Sequence, residues 1–525
     1  MKRWVGRALG PGLFVLTLVT PPPAGMEVEA WRVAGVGLLM AVWWVTEVVP
    51  IPVTALLPLV LLPLLEVSSI GDAASPFANP IIFLFMGGFM IAQAMQKWDL
   101  HRRIAFAIIE VTGTGPTRLI AGFMTAAAFL SMWVSNTAVA VMMLPIGLSV
   151  IEVLAGTNEP DEHGPADTPG SANEPAPARA PAGLPVPGHR PDPFAVALLL
   201  GIAYGCSIGG VATLIGTPPN ALLAGFLSEE LGIRVGFAQW MVVGVPMTLV
   251  LLPLTWWLLT RVIFRVDPAG PALPPGLLEG VRAGLGPISA GERRVALLFT
   301  ATALAWMTRP LLEEWIPGLT DAGIAIGAAV LLFILPAGRD RPRGRLPEGE
   351  AAGGTGEASP AVPGVGEGLL DWAWARRIPW GILLLFGGGL SLAGAITRSG
   401  LAVWIGEALQ GAGALPLLVL LLIVAAVIVF LTELTSNTAT AAAFIPILAG
   451  LAVAVQIDPV VLTITAALAA SCAFMLPVAT PPNAVVFGSG RIRMGEMVRA
   501  GVVLNMVVIL VVPLLVLVFA QIAFG

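Results

Sequence analysis

The sequence predicts an all-α polytopic membrane protein of about 11 transmembrane helices, built as two inverted repeats plus two re-entrant helical hairpins. Three observations predict it: the apolar composition, the distribution of basic residues, and motifs that occur twice in the same order. Hydrophobic residues make up 57% of the chain and charged residues 11%, against about 25% charged residues in a soluble domain. The chain therefore lacks the charge to cover a water-exposed surface, and we expect lipid to surround it.

Apolar runs and basic residues predict the spans and their direction. Lys and Arg collect in cytoplasmic loops, and with a cytoplasmic N-terminus all but four of the 27 basic residues lie on that side. We therefore expect a multi-pass protein of a bacterial inner membrane, with the N-terminus cytoplasmic and the C-terminus periplasmic after an odd number of spans. The predicted spans are 9–21, 31–48, 52–66, 79–97, 193–214, 240–262, 294–311, 320–336, 379–396, 457–478 and 500–523.

Three motifs reveal an internal duplication. A Gly-Gly pair recurs at an offset of 300 and a Ser-Asn-Thr-Ala motif at 301, whereas Thr-Pro-Pro-Asn-Ala recurs at 263. The shorter offset is explained by the 38-residue polar stretch 155–192, which interrupts the first half alone. After the first span each half holds five spans, so the second copy is inverted in the membrane, as in many secondary transporters. The motif pairs are Met86–Gly88 with Phe386–Gly388, Ser135–Ala138 with Ser436–Ala439, and Thr217–Ala221 with Thr480–Ala484.

The duplication predicts the domain organisation. Two polar stretches rich in Pro, Gly and Glu have no apolar periodicity and read as disordered cytoplasmic loops. The predicted units are a first span over 1–29, a first repeat over 30–265 with its loop at 155–192, a linker over 266–293, and a second repeat over 294–525 with its loop at 337–370.

Two apolar stretches, 117–152 and 415–455, are predicted to be the re-entrant hairpins. As one helix, the 41 residues of 415–455 would run about 61 Å, roughly twice the hydrocarbon thickness. In the first hairpin we expect arms over 119–130 and 138–150, too short to span. Non-helical backbone at membrane depth is tolerated only inside protein or beside a water-filled cavity, so both tips should lie at a buried site.

The chemistry of the tips indicates an anion site without a fixed cation. Ser, Asn and Thr cap helix N-termini through side-chain oxygens, and the N-terminal dipole attracts anions. The Pro-Pro pairs break their helices and free carbonyls at Gly216 and Ala479. Together with hydroxyl and amide oxygens, these carbonyls suit a cation such as sodium. Ser131 and Thr432 lie four residues before the serines of the tips, on the same helical faces.

Other residue classes exclude other functions. The sequence shows no nucleophile constellation, phosphate loop, clustered metal ligands or nucleic-acid patch, so we expect neither an enzyme nor a nucleic-acid partner, and no organic cofactor. A passive channel would not need paired interrupted helices. Glu433 stands beside the second tip, but Met132 occupies its place in the first half, so a shared role is doubtful.

The paired tips, the paired Thr-Pro-Pro-Asn breaks and especially Phe474–Gly490 resemble the divalent anion/sodium symporter family. The resemblance covers nearly all of 30–525 and implies a homodimer that works by an elevator mechanism. It also implies two sodium sites, one formed by Ser131, Ser135, Asn136 and Gly216, the other by Thr432, Ser436, Asn437 and Ala479. The substrate contacts that it implies are Asn136, Thr137, Thr217, Pro218, Asn437, Thr438, Thr480 and Pro481.

The leading hypothesis from the sequence is a sodium-coupled importer of C4-dicarboxylates such as succinate, malate or fumarate. A sodium-independent dicarboxylate exchanger and a sodium/sulfate symporter of the same fold remain alternatives. The exchanger would be favoured if Lys or His replaced the sodium ligands, which is not the case here. Sulfate is a dianion that could sit between the two tips, so the sequence leaves the substrate open.

Overall fold

The computed structural model describes residues 2–156, 192–273, 283, 285–338, 368–408 and 415–524. Its regular elements within these residues are helices, apart from one isolated β-bridge between Pro336 and Gly368, which confirms the predicted all-α class. The helices are α1 Lys2–Val19, α2 Val28–Thr46, α3 Ile51–Thr54, α4 Leu57–Leu64, α5 Ile70–Ala74, α6 Pro80–Lys97, α7 Leu100–Thr112, α8 Pro116–Ser131, α9 Asn136–Gly156, α10 Pro193–Gly210, α11 Pro218–Glu230, α12 Phe237–Trp257, α13 Ala290–Leu312, α14 Asp321–Ile334, α15 Trp372–Ala375, α16 Trp380–Arg398, α17 Leu401–Ala408, α18 Leu417–Thr432, α19 Asn437–Ala454, α20 Pro459–Ala470, α21 Pro481–Phe487 and α22 Met494–Phe524.

Each of the eleven predicted spans contains a helix. Among the described residues nine helices are long and apolar enough to cross a membrane, and several shorter apolar helices accompany them. The span predicted over 52–66 is divided into α3 and α4, where prolines at the start of both helices remove backbone donors. The bounds of the repeats and the linker stay predictions. Most of loops 155–192 and 337–370 lies outside the described residues.

Both hairpins are present, with longer arms than expected. The first consists of α8 and α9, of 16 and 21 residues, and the second of α18 and α19, of 16 and 18 residues. The short arms expected over 119–130 and 138–150 are therefore wrong, because α9 continues past Val150 to Gly156. Each hairpin still breaks at its Ser-Asn-Thr motif.

α7 and α11 are among the helices that lie outside the predicted spans and hairpins. α7 is amphipathic, and its Arg103 forms an ion pair with Glu292 of α13. α11 follows the first Thr-Pro-Pro motif and continues for 13 residues, buried over most of its length. The sequence did not predict α11, because the segment between the first Thr-Pro-Pro motif and α12 is too short for a membrane span.

Small residues bring the helices close together. The duplicated Gly-Gly motif acts in this way in both halves. A Cβ at Gly87 would lie 2.6 Å from the Ala325 backbone, and one at Gly388 would lie 2.0 Å from the Ala55 carbonyl oxygen. The helices that carry the two motifs, α6 and α16, also meet through Phe85 and Phe386, whose rings lie edge to face at 5.0 Å.

The helices form two groups. The hairpins pack on α10, α20 and α22, and α9 and α10 contact α21, so both tips and both breaks belong to one body. A second group joins α6 to α14 and α13, and α16 to α2, α3 and α4. The candidate site lies where the helices of the first group are interrupted, and it faces α2, α3, α6 and α16 of the second group.

Candidate functional site

One cavity of about 740 Å³ brings the duplicated motifs together. Four helices begin at its wall: α9 at Asn136, α11 at Pro218, α19 at Asn437 and α21 at Pro481. Sequence motifs far apart in the chain therefore meet at one site. The cavity is lined by all eight predicted substrate contacts, Asn136, Thr137, Thr217, Pro218, Asn437, Thr438, Thr480 and Pro481.

The tips and the breaks offer different groups to the cavity. Prolines have no N–H, so α11 and α21, which both begin with Pro-Pro, present no backbone donor in their first two positions. The tips begin with Asn and Thr, whose N–H groups are free of an intrahelical partner in a first helical turn. Hydrogen-bond donors to an anion must therefore come chiefly from the two tips.

Side-chain capping differs from the expectation. Ser135 accepts a bond from the N–H of Ala138 at 3.4 Å, whereas Ser436 makes no side-chain capping bond. Thr480 accepts one from the N–H of Asn483 at 3.3 Å. The expected side-chain cap is therefore absent at the N-cap of the second tip helix, where the hydroxyls of Thr435 and Thr440 bond each other at 2.6 Å.

The positive potential of the cavity must come from the backbone. Among the described residues its lining contains one ionisable side chain, Glu47, and no Lys, Arg or His. Helix N-termini each carry roughly half a positive charge, and two of them belong to the long helices α9 and α19. The cavity can therefore hold an anion without a basic side chain, and a bound cation would add to its potential.

The residues of the first predicted sodium site converge behind the first tip. The Asn136 amide lies 3.2 Å from the carbonyl oxygens of both Cys206 and Gly216, and its nitrogen satisfies them when the amide is turned toward them. Turned the other way, the Asn136 side-chain oxygen faces the two carbonyl oxygens. A cation bound among these three oxygens would then stabilise them. Ser131 is fully buried, and its hydroxyl has no hydrogen-bond partner among the described residues.

No larger side chain fits at the first break. A Cβ at Gly216 would lie 2.4 Å from the carbonyl oxygen of Gly210 and 2.8 Å from that of Ser131. The carbonyl oxygens of Gly210 and Ser131 therefore lie close to Gly216, in addition to the carbonyl of Gly216 that the sequence predicted as a ligand.

The residues of the second predicted site are also neighbours. The Thr432 hydroxyl lies 2.7 Å from the Asn437 side-chain oxygen and 3.1 Å from the carbonyl oxygen of Ala470. Ser436, Asn437 and Ala479 line the cavity, while Thr432 is buried behind it. Ser131 of the first predicted sodium site matches Thr432 of the second. Each predicted site therefore has three residues that line the cavity and one buried hydroxyl behind them.

Sequence reasoning missed the residues that shape the breaks. The Asn220 side-chain amide donates to the carbonyls of Gly210 and Thr213, at 3.4 and 2.8 Å. Asn483 donates to the carbonyls of Ala473 and Leu476, at 3.2 and 3.1 Å. Asn483, Ala473 and Leu476 lie 263 residues after Asn220, Gly210 and Thr213, which is the offset of the Thr-Pro-Pro-Asn motifs. The fourth position of the Thr-Pro-Pro-Asn motif was the signal that could have identified both asparagines.

A glycine of the following helix backs each break. A Cβ at Gly244 of α12 would lie 2.5 Å from the Val211 carbonyl oxygen, and one at Gly501 of α22 would lie 2.2 Å from the Met475 Cα. No sequence signal pointed to these two positions, since 244 and 501 are not separated by the offset of the motifs.

Glu433 also has a place that the sequence did not predict. It is 1% exposed, and its two oxygens accept bonds from the N–H groups of Phe474 and Met475, both at 2.8 Å, and Leu476 at 2.9 Å. The Asn505 side-chain amide donates a fourth bond at 2.7 Å. Glu433 therefore contacts the second break and not the cavity.

Comparisons with known proteins place the whole chain. The family model described as the sodium:sulfate symporter transmembrane region matches residues 1–524. A protein of Staphylococcus saprophyticus named sodium-dependent dicarboxylate transporter SdcS is 40% identical over 520 residues, 98% of this chain and 90% of that protein. The protein of the same name from Staphylococcus aureus is 39% identical over 528 residues, 99% of this chain and 92% of that protein.

A solved structure has a similar fold. It is titled as the crystal structure of the Alcanivorax borkumensis YdaH transporter with an unusual topology, and it aligns with a TM-score of 0.55 over 93% of this chain and 98% of that one. The sequence identity is 16%, so this likeness concerns the fold alone.

Proposed function

This chain belongs to the sodium:sulfate symporter family, that of the divalent anion/sodium symporters, and from that premise we propose that it imports C4-dicarboxylates such as succinate, malate or fumarate together with sodium. The family match over 1–524 confirms the resemblance seen in the motifs. Two relatives at 40% and 39% identity carry the name sodium-dependent dicarboxylate transporter. This supports dicarboxylates as the substrate class.

One observation carries the proposal most directly. Both tips and both breaks meet in a single cavity whose described lining has no basic side chain. A dianion there has two sources of positive charge, the N-termini of the tip helices and bound cations. Sodium beside each tip would fix the tip and raise the local potential, so that each ligand favours the binding of the other.

The predicted polar residues then have defined roles, and Pro218 and Pro481 would contact the substrate beside Thr217 and Thr480. The N–H and side-chain groups of Asn136, Thr137, Asn437 and Thr438 would bind the two carboxylates, and Thr217 and Thr480 would add hydroxyls. Sodium would bind behind the tips, to the sets that contain Ser131 and Thr432. These assignments rest on the convergence of the residues and on their donor atoms.

The arrangement of helices supports alternating access by an elevator movement. The tips, the breaks and their supports pack together, and α6, α13, α14 and α16 form a second group, in which α16 contacts α11 and α19 of the first. In this proposal the first body carries the cavity across the bilayer while the second stays fixed, in a homodimer with a cytoplasmic N-terminus. The membrane is the bacterial plasma membrane.

The function is tested by uptake into proteoliposomes of purified protein. Labelled succinate should accumulate when sodium is outside and should not when potassium replaces it. Equal uptake in the two salts, stimulated by succinate inside, would instead establish an exchanger. Sulfate is the second candidate because the family description names it, and labelled sulfate accumulated in preference to succinate would replace the dicarboxylate assignment.

A further inference from the structure

The two tips are fastened to their breaks at equivalent positions but by different chemistry. In the first half the Thr213 hydroxyl donates to the Met132 carbonyl oxygen. In the second half the equivalent positions are Leu476 and Glu433, and the Leu476 N–H donates to the Glu433 carboxylate. A neutral contact in one half is thus replaced by a charged one in the other.

The carboxylate changes the course of the backbone. Val211 and Ala212 donate to the carbonyls of Ile208 and Gly209, continuing the turn at the end of α10. The equivalent N–H groups of Phe474 and Met475 donate to Glu433 instead. α20 ends at Ala470, three residues before the position that matches the end of α10 at Gly210, and the N–H groups of Ser471 and Cys472 close the final turn onto Leu468 and Ala469. The second break is therefore longer, and Glu433 accepts the N–H groups of its residues 474–476.

Glu433 carries a negative charge that the first half lacks. All four of its hydrogen-bond partners are N–H donors, and an ionised carboxylate is an acceptor only. Among the described residues no basic side chain pairs with it, as the ion pairs of this part of the chain all lie elsewhere. A buried charge without a counter-charge is costly. The preceding residue, Thr432, belongs to the second predicted sodium site.

We infer that Glu433 is a positioning residue of the second sodium site: it holds the break open over 474–476 and supplies a fixed negative charge that attracts the cation. The inference rests on the proposed sodium-coupled function and deepens it. The transported cation would supply the counter-charge that the protein does not. The first site, with Met132 in this place, would bind sodium through neutral oxygens alone.

The test is the half-saturating sodium concentration for succinate uptake in proteoliposomes. Glu433→Gln keeps the shape and removes the charge, so we expect this concentration to rise about tenfold or more, with the succinate KM at saturating sodium nearly unchanged. Asn505→Ala removes one hydrogen bond and keeps the charge, so it should lower Tm and leave the sodium value within about twofold. Thr213→Val, which removes the neutral contact of the first half, should stay within about threefold.

The outcomes separate this inference from the proposed function. Wild-type uptake that ignores sodium would refute the function itself. If wild-type uptake depends on sodium, two results would overturn the role of the Glu433 charge and leave the function standing. One is an unchanged half-saturating sodium concentration in Glu433→Gln, and the other is an equal change of that concentration in Glu433→Gln and Asn505→Ala. If Glu433→Gln does not fold, Glu433→Asp decides. It keeps the charge on a shorter side chain, so Tm should fall with the sodium value within about threefold, and a tenfold rise would contradict the inference.

Discussion

The two halves of the cavity present the same groups and support them differently. Each half contributes a tip, a break and an asparagine that bonds the carbonyls of the break. Behind these groups, the first half continues into the 13-residue helix α11 and the second into the 7-residue α21. The first tip is held by a hydroxyl and the second by a carboxylate. The groups that line the cavity are therefore the same in both halves, whereas the residues that support them differ.

This comparison predicts which substitutions should have similar effects in the two halves and which should not. Changes to groups at the cavity should have similar effects in both halves, since substrate and cations need both tips. Changes to the supports should differ between the halves. Four changes to the chain test this comparison, and their expected effects decrease from the membrane topology to the loop of the first half.

The largest effect concerns the orientation on which the inverted repeat depends. A single cysteine in place of Gly525, with Cys206 and Cys472 replaced by alanine, should label completely from the periplasmic side and not from the cytoplasm. The positions of the basic residues predict this result. A cysteine at Arg7 is the matched control and should label from the cytoplasm. Labelling of residue 525 from the cytoplasm alone would show that the halves are not inverted.

The next effect concerns the two matched asparagines of the tips. Asn136→Ala and Asn437→Ala each remove a side-chain oxygen and an anion contact at about 1–3 kcal/mol. We expect each to weaken sodium-coupled succinate uptake by about one to two orders of magnitude. Gln239→Ala serves as the control, because its amide bonds the Ala523 carbonyl outside the cavity. Normal uptake by either tip mutant would remove that tip from the site.

The glycines behind the breaks should respond alike in stability. Gly244→Ala and Gly501→Ala each place a Cβ against the backbone of a break, and overpacking of this kind costs about 1–3 kcal/mol. Thermal unfolding in detergent should show a lower Tm for both. Gly495→Ala lies on the same helix as Gly501 with nothing within 4 Å of the added Cβ, so its Tm should not fall. An unchanged Tm for Gly501→Ala would mean that Gly501 does not pack against the backbone of the second break.

The smallest effect is expected for the stretch that interrupts the first half. Deleting residues 160–188 leaves Asp192, which accepts a bond from the N–H of Phe194 at the start of α10. The second half makes the equivalent connection without such an insertion, so uptake should stay within about twofold of wild type. Loss of uptake in a protein that still folds would give this loop a role of its own.

Much of the fold could be predicted from the sequence because lipid imposes simple rules. Span length and the distribution of Arg and Lys depend on the bilayer, and each predicted span contains a helix. The tips and breaks were predictable because polar residues and Pro-Pro pairs interrupt apolar runs. The arms of the first hairpin were misjudged, since helix α9 continues to Gly156 through residues whose composition does not distinguish an arm from a span.

The remaining features depend on contacts between distant residues. Glu433 was given no role because its matched position is Met132, and its partners at 474–476 are brought to it by the fold. Gly244 and Gly501 support equivalent breaks from positions that no common offset relates. Asymmetry between the repeats hid these residues from an argument based on repetition.

The central claim is that sodium and a dianion bind together at the two tips, and reciprocal binding tests it most directly. Succinate affinity of the purified protein is measured by calorimetry in sodium and in potassium, and sodium affinity with and without succinate. Linkage requires the factor by which sodium strengthens succinate binding to equal the product of the factors by which succinate strengthens the binding of the sodium ions, and we expect it to be about 10-fold or more. Succinate that binds equally well in sodium and potassium would contradict the account.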